Sequence, residues 1–455
     1  MSEASTPAMN HRMLYSIRYP LKTRTASWIE KKFLMMLGYV LGYVALFWGY
    51  YIYLVPVWGE YGFLWRPDWG KVMEALCYVG IISWALPLTV RRPSDFFLHM
   101  QFLLPILPML VLFGAMGQPR RFIYTVLFSF FLLLLTVKVA RFRPLRSPKI
   151  KLGIFQVILL FGGYLIIASI ILQGGLRYFN LNFARVYEYR SAAALNLPWL
   201  YGYLNPWVSK VVFPFAFLLA ILTKRRTMMA LSLVGSMLMF GLTSHKGAFF
   251  YPFAVLLFWW IAGRRKGLFF MLVGYSLSVI VSLIDYWFGI FGGWMATLWL
   301  RRVIFVPALL NFIYYDFFSR HGFVYWAQSK ITFGVVPYRF DLDVPHLIGY
   351  HYFGNPSTGA NTGWIGSGFA NAGIWGVFLY AVIVGIILAL LDTYCKFHDK
   401  RIVIAVVVAP LLAVMVSSDL PTALLTHGAL ISLMFLLLFR TSLIEEHTDH
   451  QGRRR

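Results

Sequence analysis

Five cations of this chain lie in apolar or aromatic surroundings, where a charged side chain is costly. They are Arg185 and Arg190 in "FARVYEYRSAA", Lys246 in "TSHKGAFFYPF", and the pair Arg301 and Arg302 in "WLRRVIFVPALLNFIYYDFF". Arginine presents a planar fork of donors that suits phosphate oxygens. Cations from several segments can together hold a diphosphate and neutralise it as a leaving group. Snorkelling toward lipid headgroups is the alternative interpretation, and it suits the Arg301–Arg302 pair least.

Carboxylates that could act beside these cations are few. Glu188 lies between two of the arginines, at a spacing that also suits a local ion pair. Asp316 follows "NFIYY" and has Arg302 or Arg320 as its expected partner. Asp419, in "SSDLPT", is an acid at the edge of the membrane, so it is either a functional residue or the cap of the next helix.

Two histidines, His346 and His351, bracket "LIGY". Their spacing does not place them on one helix face, and no third ligand is obvious, so we predict no metal site. Either one can serve as a general base for a hydroxyl, although a structural loop histidine is the favoured interpretation. The tripeptide "DLD" at Asp341–Asp343 resembles the metal-binding Asp-x-Asp of nucleotide-sugar glycosyltransferases, but this tripeptide is common.

The elements that must position these residues are membrane helices. Of the 455 residues, 60% are hydrophobic and only 13% are charged, which is typical of a polytopic membrane protein and not of a soluble domain. The sequence predicts an all-α fold of about twelve transmembrane helices. Their approximate ranges are 33–57, 70–90, 97–116, 122–140, 152–173, 206–222, 228–243, 247–262, 268–286, 364–391, 402–417 and 423–439.

Most lysines and arginines fall on one side of these spans, and the positive-inside rule makes that side cytoplasmic. We therefore expect a cytoplasmic tail at 1–32 without a cleavable signal, a membrane domain at 33–440, and a cytoplasmic tail at 441–455. Topology also accounts for most of the net charge of +24, so no nucleic acid partner is expected. Two large loops, at about 174–205 and 286–364, fall on the other side. Loops of this length usually have a functional role, so we expect one here.

A family resemblance rests on the segment from Arg301 to Asp392. "RRVIFVPALLNFIYYDFFS", "YHYFG" and "NPSTGANTGWIGSGFANAGIWGVFLYAVIVGIILALLD" together resemble bacterial Wzy-type O-antigen or oligosaccharide repeat-unit polymerases. The segments around Lys246 and Arg185 are similar as well. Outside these stretches the resemblance is one of hydropathy and loop pattern.

The resemblance implies a GT-C-like membrane glycosyltransferase in the bacterial inner membrane, with both termini cytoplasmic and two large periplasmic loops. Its substrates would be oligosaccharides linked to undecaprenyl pyrophosphate, and the growing chain would move from its carrier onto a new lipid-linked repeat unit. No cofactor, metal or nucleotide sugar is implied. Membrane lipids surround the protein, and a chain-length regulator and a flippase are candidate partners.

Individual roles follow from the resemblance by position. The paired arginines of the family fall on Arg301 and Arg302, the basic residues of its other loop on Arg185 and Arg190, and its isolated cation on Lys246. We expect these residues to hold the pyrophosphate. The base remains open among Asp316, Glu188, His346, His351 and Asp419, with Arg320 beside Asp316.

The stretch "NPSTGANTGWIGSGFANAGIWG" contributes three asparagines, Asn355, Asn361 and Asn371, which we expect to contact sugar. Its glycines favour close helix packing.

Two rival functions remain. An O-antigen ligase would share the architecture and the cationic loops. A flippase or transporter of polysaccharide precursors would place charges at the bilayer midplane within broken helices.

Overall fold

The computed structural model describes residues 27–143, 150, 152–183, 185, 186, 188, 189 and 197–439. Helices make up the regular structure of these residues, which contain no β-strand. In chain order the helices are α1 Trp28–Tyr61, α2 Trp69–Ala85, α3 Pro93–Ala115, α4 Arg120–Val139, α5 Leu152–Leu172, α6 Tyr201–Leu222, α7 Arg226–Thr243, α8 Lys246–Gly263, α9 Gly267–Phe288, α10 Met295–His321, α11 Val344–Phe353, α12 Trp364–Tyr394, α13 Lys400–Val416 and α14 Leu420–Leu438. Short 3-10 turns occur at Gly175–Tyr178 and Lys330–Thr332.

The predicted all-helical, multi-pass architecture is confirmed. Within the described residues, 11 helices are long and apolar enough to cross a membrane. The predicted spans at 70–90 and 402–417 form α2 and α13, which have 17 residues each and therefore rise about 26 Å, close to the thickness of a hydrocarbon core. The long apolar helix that was not predicted is α10.

Local sequence explains where several helices begin. Ser27 caps α1, and Glu30 bonds back to the Ser27 backbone to complete a capping box. Asp68 accepts from the Lys71 N–H at the start of α2, and Asp399 does the same for Arg401 at the start of α13. These caps satisfy N–H groups that the first turn of a helix leaves without partners.

The two ends of the bundle differ in composition. One end, here called the basic end, carries the turns with Arg92, Lys224 and Arg264. At this end α1 is fixed to the turn after α2, because the Lys32 ammonium donates to the carbonyls of Trp84 and Leu86. The opposite end, here called the loop-rich end, carries the segments 173–200 and 322–363.

Helix α10 lies across the loop-rich end. The segment 286–364, which the sequence predicts as one long loop, is therefore about half helical, with α10 and α11 inside it. The beginning of α10 meets the end of α9, where Ser282 contacts the carbonyl of Met295. Its far end stacks Tyr315 on Phe122, at the start of α4, with 4.6 Å between ring centroids. Both partners belong to the loop-rich end, so α10 has both of its ends there. The two arginines of α10 interrupt its apolar character, which is why the sequence pattern hid it.

Helix α12 is broken at Ala372–Gly373, where Gly373 has a φ of +61°. The carbonyls left over by the break accept from the loop that follows α10: the N–H of Val324 donates to Ala370, and the N–H of Tyr325 donates to Asn371. A Cβ on Gly376 would lie 2.0 Å from the carbonyl oxygen of Gly368. Small residues are therefore required for the two halves to meet, as expected for close packing.

Candidate functional site

A cavity of about 1180 Å³ lies at the loop-rich end. Its walls come from α6, α8, α10, the segment between α11 and α12, and the junction of α13 with α14. The polar side chains of the wall are those of Tyr61, Asn205, Ser209, Lys210, His245, Tyr251, Arg301, Arg302, Asn355, Thr358, Asn361, Ser417, Ser418, Thr422 and His427. This lining contains one lysine, two arginines and two histidines, and no aspartate or glutamate among the residues that the structure describes.

The cations of the cavity sit on two π-helical turns. The turn in α6 covers Val208–Val212 and includes Lys210, and the turn in α10 covers Met295–Phe305 and includes both arginines. Pro214 and Pro307 follow these turns, and proline has no N–H to donate to the carbonyl four residues earlier. The N–H that follows each turn donates five residues back instead. Such π-helical turns are frequent at functional sites.

Arg301 is held by an aromatic ring. The central carbon of its guanidinium lies 3.4 Å from the centroid of the Trp58 ring, and the Trp58 indole N–H donates to the Tyr53 hydroxyl at 3.1 Å. Tyr53 in turn shares a hydrogen bond of 2.9 Å with Thr297 of α10. The stack fixes the plane of the guanidinium and leaves its charge intact.

Lys210 and His427 contact each other in the wall of the cavity, with 2.7 Å between Nζ and Nδ1. An ammonium is a donor only, so Nδ1 of His427 accepts and carries no proton. The proton of the neutral ring then sits on Nε2, which makes His427 a hydrogen-bond donor at that nitrogen. His245 lies in the same lining at the start of α8.

Four of the predicted site residues line this cavity, namely Arg301, Arg302, Asn355 and Asn361. A fifth, Lys246, stands in the chain between the lining residues His245 and Gly247. Its Nζ lies 4.8 Å from the ring centroid of Trp294. The structure therefore brings the predicted arginine pair and two of the predicted asparagines together, with the predicted lysine next to them.

Other predicted residues lie away from the cavity lining. Arg185 forms an exposed ion pair with Glu188 at 2.9 Å, and Arg190 lies outside the described residues. Neither Arg185 nor Glu188 belongs to the lining.

Asp316 also has its partners outside the cavity. It pairs with Arg320 one turn later on α10, at 2.5 Å, which decides between the two partners that the sequence allowed. The hydroxyl of Tyr352 donates to its other oxygen at 2.6 Å. Burial and the Asp316 carboxylate raise the pKa of Tyr352 above its ordinary value, so this hydroxyl stays protonated and continues to donate.

The two loop histidines have local partners as well. His346 bonds to Asp343, which precedes α11. His351 packs edge-on against Phe317 and His321. Neither histidine belongs to the cavity lining.

Asn371 and Asp419 take part in a polar network behind the cavity. Asn371 is buried, and its side-chain oxygen accepts from the backbone N–H of Trp326 at 2.9 Å. The hydroxyl of Tyr380 lies 3.2 Å from the Asn371 amide nitrogen, which donates to it, and Tyr380 itself donates to Asp419 at 2.8 Å. Burial raises the pKa of Asp419, and the hydrogen bonds from Tyr380 and Ser367 oppose this effect. Both predicted residues thus bond within the protein and lie outside the lining.

The lining residues that the sequence reasoning missed include Lys210, His245 and His427. Lys210 had a visible signal, because it lies inside the predicted span 206–222 and an ionisable residue in a span is functional by default. The histidines had none, because their proximity to the cations comes from the folding of separate helices.

No known protein family, curated protein or solved structure matches this chain.

Proposed function

We propose that the cavity binds a lipid-linked diphosphate sugar, and that the protein is a Wzy-type membrane glycosyltransferase of GT-C-like fold. The observation that carries this proposal is the lining itself, with Lys210, Arg301 and Arg302 around one cavity and no carboxylate among its described residues. The positive field of these side chains favours a multiply charged anion. The amides and hydroxyls of the lining suit sugar hydroxyl groups.

The size of the cavity agrees with a bulky substrate. Ligand pockets for small molecules measure about 300–1,000 Å³, and this cavity of about 1180 Å³ exceeds that range. It has room for the diphosphate and for sugars on both sides of the reacting bond. The proposed donor is a growing chain on undecaprenyl pyrophosphate, and the proposed acceptor is a new lipid-linked repeat unit.

The proposed reaction is a displacement at the anomeric carbon of the donor sugar. A hydroxyl oxygen of the acceptor forms the new bond to that carbon, and the bond from the carbon to the diphosphate oxygen breaks. The diphosphate leaves with the electron pair, and Arg301, Arg302 and Lys210 neutralise the charge that develops on it. The N–H at Nε2 of His427 adds a donor to the same oxygens.

A base must take the proton of the attacking hydroxyl. His427 does not suit this role, because its Nδ1 already accepts from Lys210. The earlier candidates Asp316, Glu188, His346, His351 and Asp419 lie outside the lining. His245 is in the lining, and we assign the base to it.

The proposal places the protein in the bacterial inner membrane, with the loop-rich end at the periplasmic face. The test uses purified protein in lipid nanodiscs, supplied with a lipid-linked repeat unit and scored for a ladder of polymer. One undecaprenyl diphosphate should be released for each new linkage. A well-folded protein that forms no ladder and releases no undecaprenyl diphosphate would refute the proposal.

The base is tested with His245→Gln and the matched variant His346→Gln, which changes a histidine outside the lining. We expect the first to lose activity by about 10²-fold or more and the second to retain it. Deleting the gene separates the polymerase from a ligase, because polymerase loss leaves one repeat unit on the acceptor core whereas ligase loss leaves none.

A further inference from the structure

A row of aromatic side chains leads along α6 toward the cavity. Trp199 and Tyr203 stand four residues apart with 6.1 Å between ring centroids, and Tyr203 and Trp207 repeat the spacing with 6.2 Å. Because residues four apart share a helix face, Tyr203 and Trp207 lie on one side of α6. Trp199, in the turn just before α6, extends the row to roughly 12 Å. Trp199 is 73% exposed, so the line begins at the protein surface.

The other end of the row reaches the wall of the cavity. The indole N–H of Trp207 donates to the carbonyl of Leu425 at 2.6 Å, within the segment that supplies Thr422 and His427 to the lining. Asn205, on the same turn of α6 as the row, belongs to the lining as well. The aromatic row is therefore continuous with the cavity.

A second chain segment borders the outer end of the row. The ammonium of Lys330 lies 4.9 Å from the ring centroids of both Trp199 and Tyr203. Lys330 also lines a separate depression of about 480 Å³, formed by residues 327–330 with Phe333 and Gly334. The surface thus combines aromatic faces with a cation and the polar side chains of Gln328 and Ser329.

We propose that Trp199, Tyr203 and Trp207, with Lys330, form an oligosaccharide-binding track that guides the sugar chain to or from the cavity. The inference rests on the proposed function. Sugar rings present C–H groups on their faces, which pack on aromatic rings through dispersion, while their hydroxyls take hydrogen bonds from a lysine. The ring spacing of about 6 Å is close to the length of one sugar unit in a chain.

Insertion of the same aromatic side chains into the membrane interface is the competing explanation, because tryptophan is common there. Continuity of the row with a cation-lined cavity favours the sugar chain. A lipid anchor has no need to run inward along a helix to a polar wall.

The test compares Trp199→Ala and the double variant Trp199→Ala with Tyr203→Ala against Trp375→Ala. Trp375 is 77% exposed on α12 and outside both the row and the lining, so it is the matched control. We expect the mean polymer length to fall about twofold or more in the first two variants. The rate at which the first linkage forms should fall by a smaller factor. Trp199→Phe, which keeps an aromatic face, should restore the length.

Binding gives a readout that does not need turnover. Free oligosaccharides of one and three repeat units are titrated while tryptophan fluorescence is followed, and we expect the longer chain to bind about tenfold more weakly to Trp199→Ala than to wild type. Nanodiscs with brominated lipids test the competing explanation by quenching Trp199. If Trp199→Ala changes only this quenching and leaves chain length and oligosaccharide affinity unaltered, the track is refuted.

The failures of the two proposals can be told apart. A wild-type protein that forms no linkage refutes the proposed function, whereas a wild-type protein that polymerises normally alongside an unaltered Trp199→Ala variant refutes the track alone.

Discussion

Replacing Arg301 by alanine should remove most of the activity while the protein still folds. A unit charge about 4 Å from a diphosphate oxygen contributes about 4 kcal/mol at an effective dielectric constant of about 20. Loss of a single oxyanion donor in enzymes costs about 10²–10³-fold in turnover, or about 2.7–4 kcal/mol. We therefore expect Arg301→Ala to lower the polymerisation rate by about 10²–10³-fold. The polymerisation rate of Arg301→Lys should lie between those of Arg301→Ala and wild type, because lysine keeps the charge and loses the planar stack on Trp58.

The assay is the rate of ladder formation in nanodiscs, with the melting temperature measured in parallel. Losing the stack on Trp58 should cost only about 0.5–2 kcal/mol of stability. Arg320→Ala is the matched control, because Arg320 lies on the same helix, is 71% exposed and pairs with Asp316 outside the lining. If Arg301→Ala keeps more than about a third of wild-type turnover, the cation cluster is not the leaving-group site.

Three further variants test how the fold holds the site. Asp285→Asn should lower the free energy of unfolding by about 1.5–3 kcal/mol and reduce turnover, because the Asp285 carboxylate accepts three backbone N–H bonds from the turn that leads into α10 and from its first residue. Denaturant or thermal melting measures the stability, and an unchanged transition would contradict the prediction. Gly376→Ala should cost about 1–3 kcal/mol or prevent folding, because its Cβ would meet a carbonyl oxygen at 2.0 Å. The yield of folded protein after detergent extraction measures this, and Gly274→Ala, which has open space around the new Cβ, should give the wild-type yield. Asp419→Asn should be at least as stable as wild type near neutral pH. Burial raises the pKa of Asp419 in the folded protein, so folding favours the protonated acid. The stability that the protonated acid contributes to the wild type is lost as the pH rises through the raised pKa. Melting temperatures measured from about pH 4 upward should therefore depend less on pH in the variant, and an identical pH profile would argue against a buried Asp419.

The membrane helices were predictable because long apolar runs need no knowledge of their neighbours. The arginine pair and two asparagines of the cavity were also predictable, since charged and amide side chains near membrane spans are costly without a purpose. The orientation of α10 was not predictable, because an arginine pair within an apolar segment suits either a loop or a helix. Only the contacts of both ends of α10 with the loop-rich end decide between them.

Asn371 illustrates a different limit. An amide in a glycine-rich segment suits a sugar site and a buried network equally well on chemical grounds. The break in α12 decides between the two roles of Asn371. It leaves backbone groups without helical partners, and the loop after α10 supplies those partners and bonds to the Asn371 side chain as well. That break depends on the φ of +61° at Gly373, which a glycine permits but does not require.

The lining of the cavity has a consequence for biogenesis. Its residues come from positions as distant as Tyr61 and His427, so a nascent chain that has emerged only as far as α10 carries Arg301 and Arg302 without the partners that α13 and α14 supply. Because chains are inserted in order from the N-terminus, the cation cluster is completed only when the α13–α14 hairpin has joined the bundle. A protein stalled before that step would hold its arginines in an unfinished membrane domain, where charge is costly and quality-control proteases can reach it.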